Sequence, residues 1–166
     1  ALSQNAKVRR METITVKVER LAPEGEAIAR QDGASRIVFV PHGVPGDRLE
    51  VELVSTKSTF SKARLKKLIE AGPERILPSC PLHFDPSRPG PACGGCDWQQ
   101  LNYQAQLKHK REIVRDCLVR IAKLKDVPLG ETIASPQQWG YRNKVQIPFG
   151  PGRRGSGKPI AGFYAS

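Results

Sequence analysis

No stretch of this sequence runs to the roughly eighteen apolar residues that a membrane-spanning helix requires,. The N-terminus has no apolar segment of the secretory type, so the sequence predicts a cytoplasmic protein that does not span a membrane,. Hydrophobic residues make up 39%, below the usual share for a globular domain, which leaves material for small cores only,. Acidic residues are scarce, 16 against 27 basic ones, and the net charge of +11 favours a polyanionic partner,. Nucleic acid is the expected one, and an anionic membrane surface is the weaker alternative. Also missing are the paired carboxylates and the Ser/His/Asp arrangement of hydrolytic or acid–base sites. At 166 residues the chain has room for one ordinary domain or two small ones,.

What is present falls into three parts. Residues 1–10 carry no fold signal and are expected to be an extension or tag. From Met11 to about residue 70 the apolar period is two. Ile14, Val16 and Val18 alternate with polar residues, and Glu26–Arg30 and Arg36–Val40 flank an Asp32-Gly33 turn,. HGVPGD (His42–Asp47) is a second turn, leading to alternating Leu49, Val51 and Leu53,. The last strand, Phe60–Leu68, puts Lys62, Arg64 and Lys66 on one face and Ala63 and Leu65 on the other,. Five short strands in sixty residues predict a small closed barrel of the oligonucleotide-binding type,. The basic face of its last strand is either a nucleic-acid contact or a solvated strand edge.

The second part, residues 71–101, is turn-rich and holds Cys80, Cys93 and Cys96, spaced C-x12-C-x2-C. Its composition suggests a metal knot rather than a core. Three thiolates suit an iron–sulfur cluster, which takes four as a rule. Cys80-x2-His83 with Cys93-x2-Cys96 equally makes a local tetrahedral zinc set. In the third part, residues 102–166, Asn102 is a candidate N-cap for a helix of about twenty residues. Leu107, Val114, Cys117, Leu118, Ile121 and Leu124 form its apolar stripe, which makes Cys117 a core residue rather than a ligand or nucleophile. A hairpin follows, with arms GYRNKVQIPFG and PIAGFYAS. Arg142 and Lys144 are further candidate RNA contacts. Between the arms, Gly152–Lys158 spells G-x-x-x-x-G-K, but Pro159 stands where a phosphate-binding loop needs Ser or Thr,. The overall expectation is a mainly β fold with one long helix. It comprises a five-stranded barrel, a Cys-rich loop, the helix and a partial α+β unit.

Four segments carry more than spacing does: PSCPLHF (Pro78–Phe84), CGGCDWQQLNYQAQLKHK (Cys93–Lys110), WGYRNKVQIPFG (Trp139–Gly150) and IAGFY (Ile160–Tyr164). Together they resemble the RNA uracil-C5 methyltransferases, in the branch with a TRAM domain and a [4Fe-4S] cluster that acts on 23S ribosomal RNA. The resemblance implies that residues 11–70 are the TRAM barrel and that Cys80, Cys93 and Cys96 are cluster ligands. It places a fourth cysteine after the IAGFY segment and makes 102–166 part of a central RNA-binding domain. It also implies a flipped uridine, cysteine attack at C6 and methyl transfer from S-adenosylmethionine to C5. Those steps belong to a C-terminal Rossmann-like domain beyond Ser166, so this chain alone is expected to be inactive. The spacing between Cys80 and Cys93 is longer than the family's usual one. A loop absorbs such an insertion at small entropic cost. With the fourth family cysteine expected beyond Ser166, the cluster is expected to be partial, labile or absent in this chain, with zinc as the alternative. A free-standing, zinc-stabilised RNA-binding protein is the competing expectation.

Overall fold

A computed structural model of the chain describes residues 12–88, 92–152 and 157–165. The N-terminal extension and the centre of the G-x-x-x-x-G-K run lie outside them. Five strands, β1 (Thr13–Leu21), β2 (Ala27–Arg30), β3 (Ile37–Val40), β4 (Arg48–Thr56) and β5 (Phe60–Glu70), close into a barrel in the order β1-β2-β3-β5-β4. All pairings are antiparallel except β3 with β5. Closure leaves no open sheet edge, so the small β2 and β3 are paired on both sides.

The alternation seen in the sequence sets which side chains face inward. Val16, Val18, Ala27, Ala29, Val38, Val40, Leu49, Val51, Ala63 and Leu65 fill the interior. Lys62, Arg64 and Lys66 point outward along β5. Gly72 has no room for a side chain, because a Cβ there would stand 2.3 Å from the Pro45 carbonyl oxygen.

The Cys-rich segment is not a self-contained knot. Leu101 and Ala105 belong to the barrel's own core cluster, and Phe84 and Trp98 pack against it. The Trp98 indole donates to the Gly25 carbonyl at 3.0 Å. Burial of those four side chains holds the loop through the hydrophobic effect, a source of order that its cysteine spacing did not reveal.

Asn102 caps helix α1 (Tyr103–Asp116) as predicted, its side chain accepting from the Ala105 amide at 2.9 Å. A π-helical turn, Cys117–Ile121, extends it. The buried face differs from the expected stripe. Ala105 and His109 are buried and Ile113 packs on the core, at steps of four residues continuing from Leu101. Val114, Ile121 and Leu124 are exposed, while Cys117 is only half-buried and does not join the core. The barrel-facing side carries a histidine, so apolar periodicity pointed to the opposite side. Residues 129–135 run along the helix, where Thr132 Oγ1 donates to the Leu107 carbonyl at 2.9 Å. The C-terminal hairpin is short, with β6 (Phe149–Gly150) paired to β7 (Ile160–Ala161). No helix among the described residues is long and apolar enough to cross a membrane.

Candidate nucleic-acid interface and cysteine loop

Two regions carry the candidate chemistry. The first is the outer face of the barrel. Of the three basic residues on β5, Lys62 stands 3.4 Å from Glu26, and Arg64 is paired with Glu52, its cross-strand neighbour, at 2.7 Å. Both pairs are solvent-exposed and worth little to stability, but each cancels positive charge that the sequence pattern offered to a partner. Lys66 has no ion pair among the described residues and is the open cation of the stripe. Arg142 and Lys144 lie elsewhere, exposed in the irregular segment after the helix, with Arg142 over the Tyr141 ring. No strand pairing joins that segment to β5 among the described residues. Replacing Lys62, Arg64 and Lys66 together with glutamine is expected to weaken RNA binding and lower the slope of log K against log salt. The slope falls by about 0.7 for each phosphate that the protein no longer neutralises. Titration of a labelled RNA over a salt series measures it, and an unchanged slope reduces the stripe to a solvated outer face of the barrel.

The second region is the cysteine loop. All four cysteines are unpaired thiols, Cys96 exposed and the others half-buried. Backbone hydrogen bonds shape the loop: the Cys93 amide donates to Leu82 and the His83 amide to Cys80. The Cys80 amide donates to the Gln99 side chain at 3.2 Å. The FYA segment returns to this loop, with Cys93 bridged to Ala165 and the Gly94 amide donating to the Tyr164 carbonyl at 2.8 Å. The structure thus brings IAGFY and CGGC together, two segments far apart in the chain. As placed, however, no three His, Cys, Asp or Glu side chains among the described residues can hold a common metal ion. The donor types suit a cluster or zinc; their placement does not form a coordination sphere. His83, the imidazole of the local zinc set, points inward instead, its Nε2 2.9 Å from the Gln100 side-chain oxygen.

Beneath the loop lies a cluster that the sequence pattern did not signal. His42 is in a left-handed conformation, with φ of +62°, and is 8% exposed. Its ring stacks on Phe84 at 4.5 Å and meets His83 edge-on at 5.4 Å. Burial, reinforced by the neighbouring His83 and Arg75, pushes the His42 pKa down to about 4,. Burial also lowers that of His83, against the Gln100 hydrogen bond. Beside them, Arg75 donates to the Asp47 carboxylate at 2.6–3.0 Å and to the His42 carbonyl at 2.7 Å. On the helix, His109 sits between Glu74 at 2.6 Å and Glu112 at 2.9 Å. Hydrogen bonds from His109 and Lys108 hold the Glu74 carboxyl below its usual range, although its partial burial works in the opposite direction.

Comparison with known proteins fits this arrangement. Residues 7–66 match the family model of the TRAM domain. An uncharacterized RNA methyltransferase of Halalkalibacterium halodurans is 37% identical over 97% of this chain and 32% of its own length. Another from Synechocystis is 38% identical over 91% of this chain and 30% of its own. A third, from Nitratidesulfovibrio vulgaris, is 39% identical over 82% and 27%. The chain spans about a third of the length of the curated relatives it matches. Over residues 7–66 the chain is thus similar to the TRAM domain, and over nearly all its length it is similar to part of proteins named RNA methyltransferases.

Proposed function

We propose that this chain is the RNA-binding portion of a cytoplasmic, S-adenosylmethionine-dependent uracil-C5 methyltransferase that acts on 23S ribosomal RNA. The observation that carries the reading is the barrel itself. Its strand order, β1-β2-β3-β5-β4, is that of an oligonucleotide-binding fold, built in a chain with a net charge of +11,. Its role is to bind and orient RNA, and no residue of this chain is assigned to methyl transfer. The test uses the longer protein that contains these residues, supplied with methyl-labelled S-adenosylmethionine and 23S ribosomal RNA. The expected product is 5-methyluridine, identified by nucleoside mass spectrometry. Label on another base, or on transfer RNA alone, overturns the corresponding part of the proposal.

For the cysteine loop the proposal is a [4Fe-4S] cluster on Cys80, Cys93 and Cys96 with one further ligand. The support is the pairing of the FYA segment with CGGC, since whatever follows that segment in a longer protein starts beside the loop. Bound there, a cluster would cross-link three chain segments. Anaerobically purified longer protein is expected to be brown and to contain iron and sulfide, with the colour lost in Cys93→Ser. A colourless protein holding one zinc would instead favour the free-standing, zinc-stabilised RNA-binding reading.

A further inference from the structure

A pocket of about 270 Å³ opens between the barrel and the cysteine loop. Glu24, Glu26, His42 and Asp97 line it, so three carboxylates meet in a chain with a net charge of +11. Local contacts explain the convergence. The Trp98 indole donates to the Gly25 carbonyl at 3.0 Å, and a Cβ on Gly25 would stand 3.4 Å from that of Asp97. Asp97 is thereby held against the β1–β2 turn that carries Glu24. Gly94 and Tyr164 complete the wall, tied by the Gly94 amide donating to the Tyr164 carbonyl. Glu26 is met by Lys62, but the carboxylates of Glu24 and Asp97 have no ion pair or hydrogen bond among the described residues. His42 is an independent mark. It is buried, and neither ring nitrogen has a hydrogen-bond partner among the described residues. Buried polar atoms are normally partnered, so an orphaned imidazole in a pocket wall points to a ligand.

We propose that this pocket receives one arginine side chain of a protein partner, its guanidinium bonded by Glu24 and Asp97 and set against the His42 ring. The inference goes beyond the RNA-binding reading, because two open carboxylates repel phosphate and call for a different partner. The chemistry selects the occupant. A planar guanidinium spreads five N–H donors and reaches several acceptors at once, which a lysine ammonium does not. The volume, below the range of about 300–1,000 Å³ for whole small ligands, suits a single side chain,. A directly bound metal ion does not fit, since no three His, Cys, Asp or Glu side chains among the described residues are placed to share one. Finally, with a pKa of about 4, His42 is neutral at pH 7 and presents one N–H and one lone pair,. A peptide can meet both, with a guanidinium N–H and a backbone carbonyl, whereas a protonated polyamine offers donors only.

The test is an NMR titration of the isotope-labelled whole chain with N-acetylargininamide, read at the Gly25 and Gly94 amides and the His42 ring. Saturable shifts at all three are expected. The neutral isostere N-acetylcitrullinamide should leave them unmoved, and N-acetyllysinamide should bind more weakly. Glu24→Gln combined with Asp97→Asn, both at exposed positions, is expected to weaken arginine binding about tenfold, the loss of a charge-assisted hydrogen bond. His42→Phe keeps a ring against Phe84 and removes both nitrogens, and it too should bind less tightly. The Gly25 and Gly94 amide shifts of the ligand-free variants show whether the pocket has kept its shape. Shifts that do not saturate, an equal response to the citrulline compound, or unchanged affinity in the double variant overturn the site. Tighter binding of spermidine than of the arginine compound overturns the choice of a protein partner.

Discussion

Asp47→Ala is expected to cost about 4 kcal/mol of folding stability, the range found when one partner of a buried ion pair is removed. Asp47 is fully buried, and Arg75 opposite it is 11% exposed at the side chain. Both carboxylate oxygens are engaged. Oδ2 accepts from the Val44 amide at 2.7 Å and Oδ1 from the Gly72 amide at 2.8 Å, while the guanidinium binds both oxygens. Alanine would leave a buried cation without its anion and remove the acceptor from two backbone donors, each worth about 1–3 kcal/mol when orphaned. These terms overlap and do not add, but any of them is large against a domain stability of about 5–15 kcal/mol. The loss would fall where the turn before β4 is tied to the chain leaving β5 for the cysteine loop. Arg64→Ala is the control, since its pair with Glu52 is exposed and is expected to change stability by no more than about 1 kcal/mol. Urea titrations of the two variants decide the matter. A loss below about 1 kcal/mol for Asp47→Ala would falsify the keystone role.

How much of this was legible follows from the range over which each contact acts. The barrel strands were readable because a period of two places Val16, Val18, Leu49 and Val51 on one side within a few residues of one another,. The Asn102 cap was readable because it is a local competition between a side chain and the next turn's amides,. The helix's buried face was not. Ala105 and His109 have too little apolar character to stand out, and only a partner element shows which side they face. The Asp47–Arg75 pair spans 28 residues and has no local mark beyond an acid in a turn. Likewise, Lys62, Arg64 and Lys66 share a face as predicted, but the acids that engage two of them come from β4 and the β1–β2 turn. In the cysteine loop the donor types were visible and their placement was not. Trp98 and Leu101 anchor the loop by packing, which spacing between cysteines does not encode.

Acidification from pH 7 to pH 5 is expected to remove about 2 kcal/mol of stability through His42 alone, rising to about 3 kcal/mol by pH 4. The sign follows from the direction of the shift. An unfolded histidine titrates near 6.5, whereas burial beside His83 and Arg75 holds folded His42 at about 4. Between those values the unfolded chain binds the proton and the folded chain does not, so stability is full above 6.5 and declines as pH falls toward 4. His83, also lowered by its burial, adds to the loss in the same direction. The carboxylates act in a separate window. Hydrogen bonds from Ser87 and Arg88 lower Asp85 from 3.8 to about 2, so its contribution declines only below pH 4. A decline already evident at pH 5 therefore reports the histidines. Protonation would charge an imidazole stacked on Phe84 and facing both another imidazole and a guanidinium, so the contact between barrel and cysteine loop is the part expected to open first. His42→Phe keeps a ring against Phe84 and removes the titration. Whatever its stability at pH 7, it should lose distinctly less than wild type on going to pH 5 in urea titrations. Equal losses in the two proteins would show that the acid sensitivity arises elsewhere.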